Sequence, residues 1–72
     1  MKRFITINRG DEESKRLCKY IRESLVKKNF TIDEKNPELI IYVGGDGTLL
    51  KAFHEYLDML DNVSFVGIHT GT

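Results

Sequence analysis

The segment YVGGDGTLLKAF, residues 42–53, has three glycines within four positions and one carboxylate among them. Closely spaced glycines allow a backbone to approach a phosphate group. Asp46 stands at the centre of this glycine turn, where its charge would repel a phosphate. A carboxylate is useful there if it accepts a proton from an attacking hydroxyl, or if it shares a Mg²⁺ ion with the phosphates. Both roles belong to phosphoryl transfer to an alcohol.

Two common phosphate motifs do not fit the glycine turn. A P-loop ends in Gly-Lys-Ser/Thr, whereas Gly47 is followed by Thr48-Leu49. The dinucleotide fingerprint needs a third glycine where this sequence has Leu50. A structural alternative also stays open, because aspartate is a common N-cap and Asp46 could simply cap the following helix.

The elements around the turn are predicted from the spacing of apolar residues. A continuous apolar run, Leu39 to Val43, precedes it and is typical of a strand covered on both faces. Apolar residues at helical spacing follow it, which predicts a helix from Thr48 to about Leu60 with Thr48 near its cap. A helix is also predicted from the N-cap Asp11 to a left-handed cap at Asn29. The remaining predicted strands are residues 4–7, 30–32 and 63–68.

The order β-α-β-β-α-β predicts an α/β fold, a three-layer α/β/α domain with a mostly parallel sheet. The glycine turn then lies at the carboxyl end of a buried strand, where open sheets of this kind bind ligands. Two helices cover four strands poorly, and the sequence stops in a loop after the fourth strand. We therefore expect an incomplete domain, truncated after that strand.

Composition narrows the function classes. The chain has 72 residues and no net charge, which argues against a dedicated nucleic-acid binder. It has neither the roughly 20-residue apolar segment of a membrane span nor a signal-peptide pattern. Its one cysteine, Cys18, is expected to be a buried apolar residue inside a helix. We expect a cytoplasmic protein that contacts neither nucleic acid nor membrane.

Two stretches carry a family resemblance. Residues 44–50, GGDGTLL, resemble the signature shared by NAD kinases, diacylglycerol-type lipid kinases and, in variant form, phosphofructokinases. Residues 65–71, FVGIHTG, resemble the strand and loop that follow in bacterial NAD kinases. The residues NRGD at 8–11 and AFH at 52–54 resemble the same family. The likeness covers the whole chain but only the beginning of a family member.

The resemblance implies an activity: phosphorylation of the 2′-hydroxyl of the adenosine ribose of NAD to give NADP. ATP or polyphosphate is the implied donor, with a divalent metal, normally Mg²⁺. Asp46 matches the family's proton acceptor, and Asp46 and Gly47 match contacts to NAD. Residues 1–72 would be the N-terminal α/β domain, and the family's β-rich C-terminal domain, absent here, supports a homodimer or homotetramer.

The neighbouring residues divide into ligand contacts and structural positions. Gly44 and Gly45 are expected to let the donor phosphates approach, and Thr48 to contribute its hydroxyl. Leu49 is a candidate contact to adenine. His69, Thr70 and Gly71 are candidates for the lining of the nucleotide site.

Other residues near the turn favour structural roles. Leu50 and Phe53 are expected in the core, and Lys51 and His54 on the solvated helix surface. No Cys/His cluster has metal-ligand spacing, so any metal is expected to arrive with the nucleotide.

Two alternatives stay open. Another GGDGT kinase, acting on a lipid, would share the glycine turn but is expected to differ at residues 65–71. In the second alternative, the 72 residues by themselves form a non-catalytic nucleotide-binding fragment.

Overall fold

The computed structural model describes residues 2–69. Its strands are β1 (Arg3–Asn8), β2 (Thr31–Ile32), β3 (Leu39–Val43) and β4 (Ser64–Ile68). Its helices are α1 (Glu12–Lys27) and α2 (Asp46–Glu55), and a 3₁₀ helix spans Leu57–Asn62.

All strand pairings in the described sheet are parallel, and the strand order is β2-β1-β3-β4. β1 and β3 lie side by side in the middle, with Phe4 opposite Leu39 and Asn8 opposite Val43. This position explains why β3 is apolar along its whole length, because both faces of a central parallel strand are covered. The predicted parallel sheet is confirmed.

The two helices cover opposite faces of the sheet. On one face, Ala52 of α2 and Tyr56, the residue after this helix, form a buried cluster with Ile5, Ile7 and Ile40. The alternate side chains of β1 and β3 point the other way.

On that other face lie the fully buried Phe4 and Val43, and Cys18 of α1 is buried there as predicted. Helix α1 packs against β1, β2 and β3. Phe4 also meets Phe30 edge to face, with ring centroids 6.0 Å apart. The three-layer α/β/α architecture is therefore confirmed.

The bounds of the second helix differ from the prediction. α2 begins at Asp46 rather than Thr48, because the extended backbone of Gly45 (φ −122°, ψ −154°) already forms the N-cap. It ends at Glu55, since Tyr56 leaves helical geometry and the chain continues as the 3₁₀ helix. Apolar spacing extends across this break, which is why periodicity alone merges the two segments.

The expected core positions of Leu50 and Phe53 are wrong, since these side chains are 59 % and 41 % exposed. The sheet-facing side of α2 is instead made by the buried Thr48 and Ala52, and Tyr56 just after the helix continues this spacing of four. Thr48 and Ala52 are small, so the helix can pack closely on the sheet. Leu50 therefore points away from the sheet, and Phe53 lies at its edge, where its ring contacts Phe65 of β4.

The other predicted elements agree closely with the structure. Asn29 adopts φ +72° after α1, which confirms the left-handed cap. Phe30 and Val63 fall just outside β2 and β4, so each strand is shorter than predicted. No helix among residues 2–69 is long and apolar enough to cross a membrane.

Candidate functional site

The strand order places a topological switch point between β1 and β3. The chain leaves β1 through α1 towards β2 at one side of the sheet, and leaves β3 through α2 towards β4 at the other. Asn8 and Val43 are register partners, so the loops that follow them start side by side. Open α/β sheets bind ligands in the crevice that forms where two crossovers diverge in this way.

A cleft of about 250 Å³ occupies this crevice, and we call it the switch-point cleft. Its lining comes from the end of β1 and from the glycine turn with α2: Asn8, Arg9, Gly45, Gly47, Thr48 and Lys51. A larger concavity of about 560 Å³ lies beside α1 and β2, lined by residues such as Val26 and Ile32. It lies beside the edge strand β2, whose Ile32 pairs with Phe4 near the start of β1, and is away from the switch point, so the smaller cleft is the better candidate site.

The amino end of α2 supplies backbone donors to the glycine turn. The N–H groups of Thr48 and Leu49 donate to the Gly45 carbonyl at 3.1 and 3.2 Å. The N–H groups of Asp46 and Gly47 come earlier, where a helix has no internal acceptor for them. Together with the positive end of the helix dipole they favour an anion.

Gly44 must be a glycine for a steric reason. Its φ is +153°, and its N–H donates to the Ile68 carbonyl at 2.9 Å, which ties the turn to β4. A Cβ at this position would collide with Thr48 Oγ1. Thr48 is only 5 % exposed and packs under the turn, and its side chain makes no cap hydrogen bond to α2. The expected cap role of Thr48 is therefore wrong.

Asp46 is the first residue of α2, and its side chain is exposed. The structure shows no side-chain cap hydrogen bond at this helix end, so the capping alternative for Asp46 receives no support. Asp46 is also absent from the lining of the switch-point cleft. The carboxylate and the phosphate-compatible backbone therefore belong to the same turn but do not line the same cleft.

Arg9 follows β1 and is held by a small polar network. Its Nε and Nη2 donate to the two carboxylate oxygens of Asp11, each at 3.2 Å. The Ser14 hydroxyl donates to the Asp11 carboxylate and accepts from the Arg9 backbone N–H at 3.2 Å. The Arg9 guanidinium, and next the Ser14 hydroxyl, hold the pKa of the Asp11 carboxyl well below its usual range.

Arg9 and Asn8 are site-lining residues for which sequence reasoning proposed no role. The available signal was their position directly after a strand on the ligand-binding edge of the sheet. Asp11 was predicted as the N-cap of α1, and it holds that position, but its carboxylate bonds to Arg9 and Ser14 and makes no side-chain cap to the helix.

The remaining candidates are distributed around the turn. Lys51 is exposed, as expected, but it also lines the switch-point cleft. Leu49 is half-buried in the first turn of α2. His69 is exposed beyond the end of β4 and is not part of the cleft lining. Thr70 and Gly71 lie outside the described residues.

Within residues 2–69, no three His, Cys, Asp or Glu side chains are grouped as they would be around a metal ion. His54 is exposed on α2, as expected for a helix-surface histidine. The thiol of Cys18 has its pKa raised by burial, which suits a packing role rather than a nucleophile.

Comparison with known proteins extends the geometric observations. No protein-family model matches the chain. Curated relatives include an NAD kinase 1 of Bacillus cereus, 46 % identical over 69 residues, which are 96 % of this chain. NAD kinase 1 of Halalkalibacterium halodurans is 49 % identical and NAD kinase 1 of Bacillus subtilis is 48 % identical, again over 96 % of the chain.

The matched region is about a quarter of each relative, since it covers 26 % of their length. The resemblance to NAD kinases read from the glycine turn and residues 65–71 is confirmed over nearly the whole chain.

Proposed function

We propose that this chain is the N-terminal α/β part of an NAD kinase, which phosphorylates the 2′-hydroxyl of the adenosine ribose of NAD to give NADP. The observation that carries the proposal is the GGDGT turn at the switch point of a chain that is 46–49 % identical to NAD kinases. Its phosphoryl donor would be ATP or polyphosphate.

The glycine turn would contact both substrates, the phosphoryl donor through its glycines and the acceptor hydroxyl through Asp46. Gly45 and Gly47, with the amino end of α2, would hold the donor phosphates in the switch-point cleft, and Gly44 would let the turn approach them by its backbone conformation. Asp46, exposed beside the cleft, would accept the proton of the ribose hydroxyl. As the hydroxyl oxygen bonds to the terminal phosphorus, the bond from phosphorus to the bridging oxygen breaks, and the shortened donor leaves with the electron pair.

A Mg²⁺ ion fits this arrangement as a companion of the donor phosphates. Magnesium commonly binds phosphate oxygens and keeps several waters, so the ion would arrive with the nucleotide. Bound to the donor phosphates, the metal would neutralise charge that develops on the transferred group.

The remaining contacts of this chain to the nucleotides would come from Thr48, Leu49, His69, Thr70 and Gly71.

The rest of the family pattern belongs to the proposal as well. Residues 1–72 would form the N-terminal domain of a cytoplasmic protein whose β-rich C-terminal domain completes the NAD site. That domain would also support a homodimer or homotetramer. The lipid-kinase alternative has no comparable support, because the curated relatives matched over 96 % of the chain carry the name NAD kinase.

Replacing Asp46 tests the assignment of the base. In the complete protein, Asp46→Asn should lower kcat by about 10²–10⁴-fold, the usual contribution of a positioned proton acceptor, while NAD still binds. NADP formation and equilibrium binding of NAD measure the two effects separately. Asp58→Asn, an exposed aspartate of the 3₁₀ helix, is the matched control and should leave both unchanged. Turnover near the wild-type value in Asp46→Asn would contradict the assignment.

A further inference from the structure

We infer that Arg9 binds the phosphates of the phosphoryl donor and that Asp11 and Ser14 position it for this role. The inference rests on the proposed function and adds to it a residue from outside the glycine turn. Arg9 follows β1, 37 positions before the first residue of α2, and reaches the cleft only because β1 and β3 are neighbours.

Arg9 lies across the switch-point cleft from the glycine turn, whose backbone is proposed to face the donor phosphates. The cleft is lined on one side by Asn8 and Arg9, and on the other by Gly45, Gly47, Thr48 and Lys51. The turn and the Arg9 side chain are in close proximity, since a Cβ on Gly44 would lie 3.1 Å from Arg9 Cβ. An anion in the cleft would thus meet the positive end of α2 and two cationic side chains from separate elements.

The charge distribution favours a phosphate over a neutral group. None of the cleft-lining residues is acidic, since Asp46 is not among them. Asp11 offsets the charge of Arg9, but Lys51 and the positive end of α2 add to the cleft's attraction for an anion. A donor with several phosphates carries enough negative charge to interact with Arg9, Lys51 and the positive end of α2 together.

The Asp11 carboxylate also fixes the guanidinium in place. It engages Nε and Nη2 in a two-point fork, and the Ser14 hydroxyl fixes the carboxylate in turn. A guanidinium carries five N–H donors, so this fork leaves others for a ligand. Because the planar group is already oriented, less conformational entropy is lost when a phosphate binds.

A matched arginine at the opposite end of the same strand provides the control. Arg3 forms an ion pair with Glu38 at 3.2 Å, and Arg9 forms one with Asp11 at 3.2 Å. The side chains of Arg3 and Arg9 are 45 % and 47 % exposed. The pairs differ in position, because only Arg9 lies at the carboxyl end of β1, beside the cleft.

The test uses the complete protein and compares Arg9→Ala and Arg9→Lys with Arg3→Ala. Arg9→Ala should raise KM for ATP by about 10- to 100-fold, the range for losing a hydrogen bond to a charged group, with little change in KM for NAD. Arg9→Lys should recover only part of the loss, because lysine keeps the charge without the fork. Arg3→Ala should leave both constants unchanged.

Asp11→Asn tests whether Asp11 positions Arg9. Glu38→Gln, the same kind of change in the Arg3–Glu38 pair, is its control. Asparagine is also a good N-cap, so α1 should start as before. We expect a smaller rise in KM for ATP in Asp11→Asn and none in Glu38→Gln. An unchanged KM for ATP in folded Arg9→Ala and Arg9→Lys, or an equal rise in KM for NAD, would overturn the inference.

Failure of the proposed function would appear differently. In that case the unmodified protein would form no NADP, whatever residue stands at position 9. Equilibrium titration with ATP would then still compare Arg9→Ala with Arg3→Ala. Weaker ATP binding in Arg9→Ala alone would support the inference, and equal affinities would reject it.

Discussion

At the scale of single residues, Gly44 and Gly47 occupy the same motif for different physical reasons. Gly44 has φ +153°, and an added Cβ would collide with the buried side chain of Thr48. Gly47 lies in the first turn of α2, and a Cβ there would meet nothing within 4 Å. The fold therefore requires a glycine at Gly44, whereas at Gly47 only the approach of a ligand would require one.

Alanine substitutions separate these two reasons. Gly44→Ala should lower the Tm, because backbone strain of about 1–3 kcal/mol adds to the collision with Thr48. Gly47→Ala should keep or raise the Tm, since alanine is favoured over glycine in a helix by about 1 kcal/mol. Thermal unfolding of both variants measures the effect. A lower Tm in Gly47→Ala, or an unchanged one in Gly44→Ala, would contradict the geometry.

The same pair of variants bears on ligand approach. If Gly47→Ala has an undiminished Tm but a raised KM for ATP or NAD, the missing side chain at this position serves binding rather than folding. An unchanged KM for both substrates would show that a ligand does not approach Gly47 closely.

At the scale of elements, the end of α2 is connected to the polar loop before β3. The hydroxyl of Tyr56, the residue at which α2 breaks, donates to the Glu34 carbonyl at 2.9 Å. Asp33 organises the same loop by accepting from the N–H groups of Lys35 and Asn36, each at 3.0 Å. The loop is thus tied to the helix on the face of the sheet opposite α1.

Tyr56→Phe should remove this connection while preserving the packed ring. Loss of a single hydrogen bond of this kind costs about 1 kcal/mol, so the Tm should fall by a few degrees. Tyr20→Phe is the matched control, since Tyr20 is 68 % exposed on α1 and its replacement should have little effect. Equal Tm values for Tyr56→Phe and the unmodified protein would show that the bond contributes nothing to stability.

At the scale of the whole molecule, apolar surface remains uncovered beside the edge strand. Leu50, Phe53 and Leu57 are 59 %, 41 % and 55 % exposed, and Val66 of β4 is 46 % exposed. Phe53 contacts Phe65 of β4, with ring centroids 5.1 Å apart. The chain spans 26 % of the relative's length, and we propose that a segment of the complete protein covers this surface.

The 72-residue chain expressed alone should therefore form no NADP from NAD and ATP. The switch-point cleft supplies contacts for phosphates, but most of the proposed NAD site would come from the remaining sequence. A coupled assay for NADP, with the complete protein as the positive control, measures the difference. Steady NADP formation by the purified chain would show that this portion is sufficient.

The elements predicted correctly from the sequence rest on local features, and the parallel α/β architecture follows from their order. Helix α1, the buried strand β3 and the left-handed Asn29 follow from periodicity and backbone preference, which neighbouring residues set. The glycine turn likewise indicates phosphate chemistry without any partner. The bounds of α2 and the exposure of Leu50 and Phe53 could not be predicted this way, because they depend on which side of the helix meets the sheet.

The composition of the candidate site was decided by the tertiary structure alone. β1 lies between β2 and β3 in the sheet. Because β1 and β3 are neighbours, Arg9 and Lys51, which are 42 positions apart in the sequence, line the same cleft. The sequence contains both residues, but it does not show on which side of β1 or β3 the next strand of each crossover pairs. That direction depends on packing of the helices against opposite faces of the sheet, which involves contacts between distant segments. The sequence by itself therefore determined the phosphate turn and its acid, and the fold determined that Asp46 lies outside the cleft that Arg9 and Lys51 line.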